Sequence, residues 1–290
     1  MEPTPAKSLK TAPEVAEELP PLPVTPVHVG IVMDGNGRWA AQRGLPRLEG
    51  HRAGARCVRE VAEAAVEFGV KVLTLYAFST ENWARPEAEV SGLMTLLEDS
   101  IEREQGAIME NEIQVRSIGR RDAVPSTLQV AIDQLEAATR GNDRLTINFA
   151  FNYGGRSEIV DAVREIVAEG VPASRISEAT ITRHLYTRDL PDPDLVIRTA
   201  GEMRLSNFLL WQAAYAEYYA AQVYWPDFGR EEFYAALTNY SRRERKFGGL
   251  AGGDDYAGSD DCAGSDDCAV GEDSAGSDGL VSSRNGKAKQ

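Results

Sequence analysis

An apolar run early in the chain ends in a set of residues suited to binding a phosphorylated ligand, Asp34-Gly35-Asn36-Gly37-Arg38. The two glycines tolerate backbone conformations closed to residues with a Cβ, so main-chain N–H groups can converge on an anion. A carboxylate at a strand end can hold a divalent cation on the same phosphates, and an arginine can add a forked hydrogen bond. The alternative is a strand followed by a tight turn, because Asp-Gly and Asn-Gly are strong turn dipeptides.

A second polar cluster follows another apolar run directly and consists of Ser79, Thr80, Glu81, Asn82, Trp83 and Arg85. Its hydroxyl and amide groups could handle a proton beside a cation. The same residues also suit a helix start, because a hydroxyl residue followed by Glu81 and Asn82 can form a capping box. This segment therefore has a structural interpretation beside the chemical one.

A third cluster sets Arg198, Arg204 and Ser206 around Gly201. Two arginines and a serine at this spacing suit a diphosphate, whose oxygens accept several forked hydrogen bonds. A surface network of ion pairs is the alternative interpretation.

The elements that must position these clusters alternate apolar runs with segments of helical period, which is typical of βαβ units. We therefore predict an α/β fold, a single domain with a largely parallel central sheet flanked by helices. Because ligand sites in such sheets gather at the carboxyl ends of strands, the three clusters are expected to meet there. The predicted strands are 27–33, 70–78, 113–118, 145–151 and 194–198, and the predicted helices include 53–68, one opened by Pro125, 158–168 capped by Ser157, and 233–240.

The composition indicates a globular protein without a membrane span. The chain has 290 residues, 42% of them hydrophobic, and no apolar run approaches the roughly 20 residues that cross a bilayer. The formal net charge is −14, of which residues 251–290 contribute −6 through nine acids and three bases. We predict a cytoplasmic protein that binds no nucleic acid and holds any anionic substrate by local arginines.

Three segments differ in composition. Residues 1–26 are predicted to be a proline-rich flexible arm, residues 27–250 the folded domain, and residues 251–290 a disordered acidic tail. In this tail an Ala-Gly-Ser-Asp-Asp-Cys unit occurs twice in succession, and its Gly, Ser and Asp residues cannot build a core.

Together the three clusters resemble one family, the cis-prenyltransferases typified by undecaprenyl diphosphate synthase. The resemblance spans about residues 27–250 and includes three more motifs: Gly50-His51-Arg52-Ala53-Gly54, Asn152-Tyr153-Gly154-Gly155-Arg156 and Trp225-Pro226-Asp227-Phe228. One departure is Ala200, which stands where the family usually has glycine or serine; the arm and the tail lie outside the pattern.

The resemblance implies that isopentenyl diphosphate is condensed with an allylic diphosphate such as farnesyl diphosphate, with Mg²⁺ as cofactor. It implies that Asp34 and Glu217 bind the metal, that His51 assists the leaving group, and that Asn82 and Ser79 help to remove a proton. The expected substrate-binding residues are Gly35, Asn36, Gly37, Arg38, Trp39, Arg47, His51, Ser79, Thr80, Glu81, Asn82, Trp83, Arg85, Arg198, Arg204 and Ser206.

A growing isoprenoid also needs a dry space. An apolar helix face and strand residues could line a hydrophobic product tunnel, although an ordinary core explains them equally well: Leu93, Leu96, Leu97, Ile101, Ile108, Ile147, Phe149 and Phe151. The resemblance further implies a homodimer, and a lipid product implies transient contact with the membrane periphery. The product is expected to be undecaprenyl diphosphate, with a different chain length or a non-catalytic partner subunit as alternatives.

Overall fold

The computed structural model describes residues 19–243, and within them six strands form one sheet. The strand order is β3-β4-β2-β1-β5-β6, and every pair of neighbours is parallel. The predicted α/β fold with a largely parallel sheet is therefore confirmed. The strands are β1 (His28–Val32), β2 (Val72–Ser79), β3 (Ile113–Ile118), β4 (Leu145–Tyr153), β5 (Leu195–Arg198) and β6 (Glu217–Ala220).

Seven helices connect and flank these strands: α1 (Asn36–Gln42), α2 (Arg47–Glu67), α3 (Glu87–Glu110), α4 (Ser126–Thr139), α5 (Gly155–Ala168), α6 (Glu178–His184) and α7 (Gly229–Ser241). Short 3₁₀ turns at Thr80–Ala84, Ala173–Arg175, Gln212–Tyr215 and Trp225–Asp227 complete the fold.

Both faces of the sheet are covered, which is why its strands have continuous apolar sequences. Along β1, Val29 and Ile31 belong to the core cluster that includes residues of α2 and α7, whereas Val32 belongs to a cluster on the other face. Strand β5 alternates in the same way, with Val196 on the second face.

Several predicted boundaries shift. Helix α2 begins at Arg47 rather than at residue 53, so that the Gly50-His51-Arg52-Ala53-Gly54 motif lies within it. The predicted Ser157 cap was wrong, because α5 already begins at Gly155 and no side chain of its own segment caps it. Strand β6 and the short helices α1 and α6 were not predicted.

Part of the predicted arm belongs to the described chain. Residues 19–26 form no helix or strand, yet Leu22 packs against the core and the Pro20 carbonyl accepts a 2.8 Å hydrogen bond from the Tyr234 hydroxyl. Residues 1–18 and the predicted tail, residues 251–290, lie outside the described residues. In the described part of the chain, no helix is long and apolar enough to cross a membrane.

A series of buried hydrogen bonds links neighbouring strands of the sheet at His28, which is 1% exposed. Its Nδ1 lies 2.6 Å from the Pro191 carbonyl oxygen, which can only accept, so Nδ1 carries the proton. The Nε2 atom then accepts from the Thr74 hydroxyl at 2.7 Å, and Asn148 donates to that hydroxyl at 3.2 Å. Burial lowers the pKa of His28 to about 4, although Pro191 and Asp194 favour the charged form. The imidazole is therefore neutral at pH 7.

We expect this histidine to make the fold acid-sensitive. The pKa of His28 is about 4 in the folded protein and near 6.5 in the unfolded chain. The free energy of unfolding therefore has its full value above pH 6.5 and decreases as the pH falls toward 4. Between pH 7.5 and 5 the contribution to the free energy of unfolding should be roughly 2 kcal/mol.

Urea unfolding of the wild type and of His28→Asn at both pH values measures this effect. The asparagine amide can donate to Pro191, as the imidazole does, but it does not titrate. The variant should be less stable at pH 7.5 and lose less stability on acidification. Equal losses in the two proteins would contradict the assignment.

Candidate active site

The loops after β1, β2, β4 and β5 meet at the carboxyl edge of the sheet, and they enclose a polar cavity of about 660 Å³. All three polar clusters of the sequence contribute to its wall. The polar and charged residues lining it are Asp34, Asn36, His51, Tyr76, Ser79, Glu81, Asn82, Arg85, Arg156, Arg198, Ser206 and Asn207.

An ion pair between Asp34 and Arg198 forms the floor of this cavity. Arg198 ends β5 beside Val32 of β1, and its Nη2 lies 2.8 Å from Asp34 Oδ2. Its Nη1 donates to Ser206 Oγ and to the Arg204 carbonyl oxygen, each at 2.6 Å. One guanidinium, 8% exposed, therefore joins the first and third clusters.

The carboxyl of Asp34 is ionised at neutral pH. Burial favours its neutral form, but the hydrogen bond from Arg198 and the charges of Arg198 and Arg38 outweigh burial and hold its pKa below the ordinary value. Arg38 Nη2 lies 3.3 Å from Asp34 Oδ1, and its Nη1 lies 3.0 Å from Glu202 Oε1. The site thus presents one carboxylate between two guanidinium groups.

The glycines of the first loop are required by close packing. Gly35 has φ +102°, and a Cβ there would lie 2.6 Å from a ring carbon of Tyr224. Its N–H donates to Asp34 Oδ1 at 2.7 Å. Helix α1 follows at once, and because a helix cannot pair its first amides internally, those of residues 36–38 are available to an anion. This geometry is compatible with both the phosphate-loop and the tight-turn interpretation.

Helix α2 brings His51 to the cavity because two glycines let it approach α1. A Cβ on Gly50 would lie 2.0 Å from the Asn36 carbonyl oxygen, and one on Gly54 would lie 2.4 Å from Asn36 Oδ1. Burial and the charge of Arg85 lower the pKa of His51 to about 4, against the opposing charge of Glu89. Its Nε2 is buried and has no hydrogen-bond partner among residues 19–243.

Glu89 joins three cationic or basic groups beside the cavity. Its Oε1 lies 3.0 Å from Arg47 Nε, 3.2 Å from Arg85 Nη1 and 4.0 Å from His51 Nε2. Sequence reasoning missed Glu89, whose position in the first turn of α3 resembled an ordinary helix-start acid.

The second cluster is both a capping box and a wall of the cavity. The Ser79 N–H donates to Asn82 Oδ1 at 3.0 Å, and the Ser79 side chain accepts in return from the backbone N–H of Asn82. Trp83 donates to Asn152 Oδ1 at 2.7 Å and packs edge-on against Phe78. The structural and the chemical interpretations of this segment are thus compatible.

Nine of the predicted site residues do not line this cavity: Gly35, Gly37, Arg38, Trp39, Arg47, Thr80, Trp83, Arg204 and Glu217. The Arg204 side chain is ion-paired with Glu202 and 58% exposed, and Trp39 donates to Asp227 at 2.7 Å under the Arg43 guanidinium. Glu217 begins β6 opposite Leu195, at the far end of β5 from Arg198, and pairs with Arg243. Because the strands are parallel, the two predicted metal-binding residues, Asp34 and Glu217, lie at opposite ends of the strands within one chain.

Arg156 and Asn207 are cavity residues without a predicted role. In the described structure the Arg156 guanidinium has no ion-pair or hydrogen-bond partner, although it lines the cavity near Ser206. Arg156 could have been predicted from sequence, because it belongs to the Asn152-Tyr153-Gly154-Gly155-Arg156 motif.

An apolar cavity of about 220 Å³ adjoins the polar one, and the two share Met33, Asn36, His51, Ala77 and Leu93. It runs between α2, α3, α4 and the sheet. Every residue predicted to line a tunnel lies in its wall: Leu93, Leu96, Leu97, Ile101, Ile108, Ile147, Phe149 and Phe151. The charged site therefore borders an apolar space.

Comparison with known proteins agrees with this geometry. Residues 32–248 match the prenyltransferase family model described as undecaprenyl diphosphate synthase. The chain is 53% identical to an isoprenyl transferase of Fusobacterium nucleatum over 225 residues, which are 78% of this chain and 96% of the relative. It is 48% identical to an isoprenyl transferase of Thermotoga maritima over 79% of this chain and 99% of the relative.

Solved structures give the same result. Lavandulyl diphosphate synthase from Lavandula x intermedia, in complex with dimethylallyl diphosphate, matches with a TM-score of 0.76 and 39% identity over 78% of this chain and 99% of that one. A probable undecaprenyl diphosphate synthase from Campylobacter jejuni matches with a TM-score of 0.66 and 32% identity over 77% and 99%. The chain therefore belongs to the undecaprenyl diphosphate synthase family of prenyltransferases, the cis-prenyltransferases that its motifs resemble.

Proposed function

We propose that this protein is a Mg²⁺-dependent cis-prenyltransferase that condenses isopentenyl diphosphate units onto an allylic diphosphate such as farnesyl diphosphate. The product is a polyprenyl diphosphate, for which we propose undecaprenyl diphosphate, and inorganic diphosphate leaves at each step. The junction of an arginine-rich cavity with an apolar cavity carries this proposal. A substrate with a diphosphate head and an isoprenoid tail needs both environments.

In this proposal the allylic diphosphate lies against the first loop and the start of α2. The residues that hold it are Gly35, Asn36, Gly37, Arg38 and Arg47, with the neutral imidazole of His51 beside the leaving oxygen. Departure of diphosphate builds negative charge, which oriented N–H groups and guanidinium groups stabilise. The unpaired Nε2 of His51 supports its role, because a buried ring nitrogen without a protein partner is available to a ligand.

The donor set at Asp34 fits Mg²⁺. This ion prefers oxygen ligands and is commonly held by one or two carboxylates together with substrate phosphates and water. Asp34 is ionised and lies in the cavity wall, and no cluster of three His, Cys, Asp or Glu side chains within residues 19–243 offers a complete protein cage. Bound Mg²⁺ supplies positive charge to the departing diphosphate.

Isopentenyl diphosphate lies on the opposite wall in this proposal, against Arg198 and Ser206. Arg204 joins them if its exposed ion pair with Glu202 opens, which costs little because such pairs are weak. The unpaired guanidinium of Arg156 offers a further charge-assisted contact.

Bond formation joins C4 of isopentenyl diphosphate to C1 of the allylic substrate as the C1–oxygen bond breaks. The C2 proton is then lost, and the new double bond is cis. Ser79 and Asn82 orient or relay that proton, since neither is a strong base and the Asn82 carbonyl already accepts from the Ser79 N–H. The departing diphosphate is the proposed final acceptor.

A homodimer is part of the proposal. Within the described residues β6 forms an edge of the sheet, and Tyr215, which precedes β6, and Met203, in the loop after β5, are 80% and 77% exposed. Large exposed apolar side chains next to an open strand edge favour burial against a second protein surface. Membrane contact follows from the chemistry of a lipid product, and a cytoplasmic location stays a prediction.

A non-catalytic partner subunit is the alternative function. Such a subunit would differ from the enzyme by lacking the loop proposed to bind the allylic diphosphate. This chain keeps that loop, Asp34-Gly35-Asn36-Gly37-Arg38, intact. Incubation of purified protein with Mg²⁺, farnesyl diphosphate and labelled isopentenyl diphosphate decides between them. We expect elongated products, and their absence would refute the enzymatic proposal.

Replacing Asp34 by Asn should lower turnover roughly 10²–10³-fold, because the charge that balances Arg198 and binds the cation is lost. Asparagine is preferable to alanine, since its carbonyl can still accept from Arg198 and spare the buried guanidinium. Steady-state kinetics with thermal unfolding measures the effect. The control Asp189→Asn removes an exposed carboxylate elsewhere and should leave turnover unchanged; near-normal turnover in Asp34→Asn would refute its role.

Replacing Ser100 by Phe should shorten the product. Ser100 lines the apolar cavity, and its hydroxyl donates to the Leu96 carbonyl within α3. A phenyl ring would fill much of a cavity of about 220 Å³ and stop the growing chain earlier. Reverse-phase chromatography of the products measures their length, with Ser100→Ala as the control that should keep it. An unchanged length in Ser100→Phe would show that the product does not occupy this cavity.

A further inference from the structure

Asn207 lies in the wall of the polar cavity next to Ser206, and the proposed reaction gives it no role. Ser206, Asn207 and Leu209 have φ values of +49°, +65° and +44°, in the left-handed region that favours glycine. Residues with a Cβ are uncommon in this region, and such a conformation persists where surrounding contacts impose it. The contacts of Asn207 therefore indicate what this conformation achieves.

Asn207 binds two other loops at once. Its carbonyl oxygen accepts from the Gly155 N–H at 2.7 Å, and its Oδ1 accepts from the Arg156 N–H at 2.9 Å. Its Nδ2 donates to Glu81 Oε1 at 2.9 Å. These partners fix the orientation of the Asn207 side-chain amide. If its oxygen and nitrogen were exchanged, the NH₂ group would face the Arg156 N–H and the oxygen would face the Glu81 carboxylate.

The two glycines before Arg156 make room for this arrangement. A Cβ on Gly154 would lie 2.7 Å from Asn207 Nδ2, and a Cβ on Gly155 would lie 3.2 Å from the Asn207 carbonyl oxygen. Asn207 thus caps α5 from 51 residues further along the chain, in place of the local cap that the sequence lacks. These close contacts indicate that the position of the Asn207 side chain is tightly constrained.

The position matters because each partner belongs to a different wall of the cavity. Glu81 lies in the turn that holds Ser79 and Asn82, Arg156 follows β4, and Ser206 accepts from the buried Arg198. We propose that Asn207 is a positioning residue that ties the loop handling the proton to the loop binding isopentenyl diphosphate. This inference rests on the proposed function and assigns a coupling role within that site.

A simpler role, that of helix cap alone, uses only part of the side chain. A cap requires an acceptor at Oδ1, which aspartate provides equally well. The link to Glu81 requires the donor Nδ2, which aspartate lacks. Asn207→Asp therefore keeps the cap and sets a carboxylate against the carboxylate of Glu81.

We expect Asn207→Asp to fold like the wild type and to raise KM for isopentenyl diphosphate roughly tenfold, with a smaller change in KM for farnesyl diphosphate. Tenfold corresponds to the loss of one hydrogen bond to a charged group, about 1.4 kcal/mol. The double variant Asn207→Asp with Glu81→Gln reverses donor and acceptor and should restore KM. Glu81→Gln alone serves as the reference for the double variant, and the control Glu178→Gln, which removes an exposed carboxylate at the start of α6, should stay close to wild type.

A pH profile separates coupling from simple structural damage. Two facing carboxylates share a proton at low pH, so the pKa of one of them rises. The ratio of kcat/KM in Asn207→Asp to that in the wild type should therefore increase as the pH falls from 9 to 6. In the double variant this ratio should be flat.

No other group facing this pair should titrate in that range. Burial raises the pKa of Tyr76 and lowers that of His51 to about 4, while the arginine partners keep Asp34 ionised. The ionisable groups sharing the cavity with Glu81 are Asp34, His51, Tyr76, Arg85, Arg156 and Arg198.

Hydrogen exchange tests the tie independently of turnover. Amides of residues 79–85 should exchange faster in Asn207→Asp than in the wild type, and their protection should return in the double variant. Wild-type KM and protection in Asn207→Asp, or failure of the double variant to restore either, would overturn the inference. Inactive wild-type protein with the expected exchange pattern would instead refute the proposed function and leave the structural tie established.

Discussion

The ion pair between Arg198 and Asp34 is the interaction on which the site depends. Arg198 ends β5, Asp34 follows β1, and the parallel register of these neighbouring strands places the two groups 2.8 Å apart. Breaking such a pair leaves a buried charge without its partner, so the pair and the local register of the strands stabilise each other. The same guanidinium also holds Ser206 and the Arg204 carbonyl, which connects the third loop to the floor of the cavity.

Much of the fold could be predicted from sequence because buried parallel strands have continuous apolar runs, as in β1 and β5. Strand β6 was missed because it is a four-residue edge strand with the sequence Glu-Tyr-Tyr-Ala, in which none of the residues is buried. The start of α5 was misplaced because its cap comes from Asn207, far away in sequence, whereas prediction considered only local candidates such as Ser157.

The candidate site was predicted as three clusters, and their meeting followed from the rule that parallel strands end on one edge. What sequence could not supply was the direction of side chains. Arg204 and Arg198 have the same residue type and lie six positions apart, yet one pairs outward with Glu202 and the other is buried against Asp34. Glu217 was assigned by resemblance to the metal of Asp34, but the register of β6 places it at the opposite end of the strands.

The shared guanidinium of Arg198 has a consequence for repeated elongation under the proposed reaction. After one cycle the lengthened chain carries its diphosphate on the Ser206 side, whereas the next cycle requires it on the Asp34 side. Both sides are bound by one arginine, at 2.6 and 2.8 Å. Under this reaction the head group moves from one side of a single side chain to the other, while its tail advances into the apolar cavity. Such a short transfer path favours processive synthesis over release of intermediates.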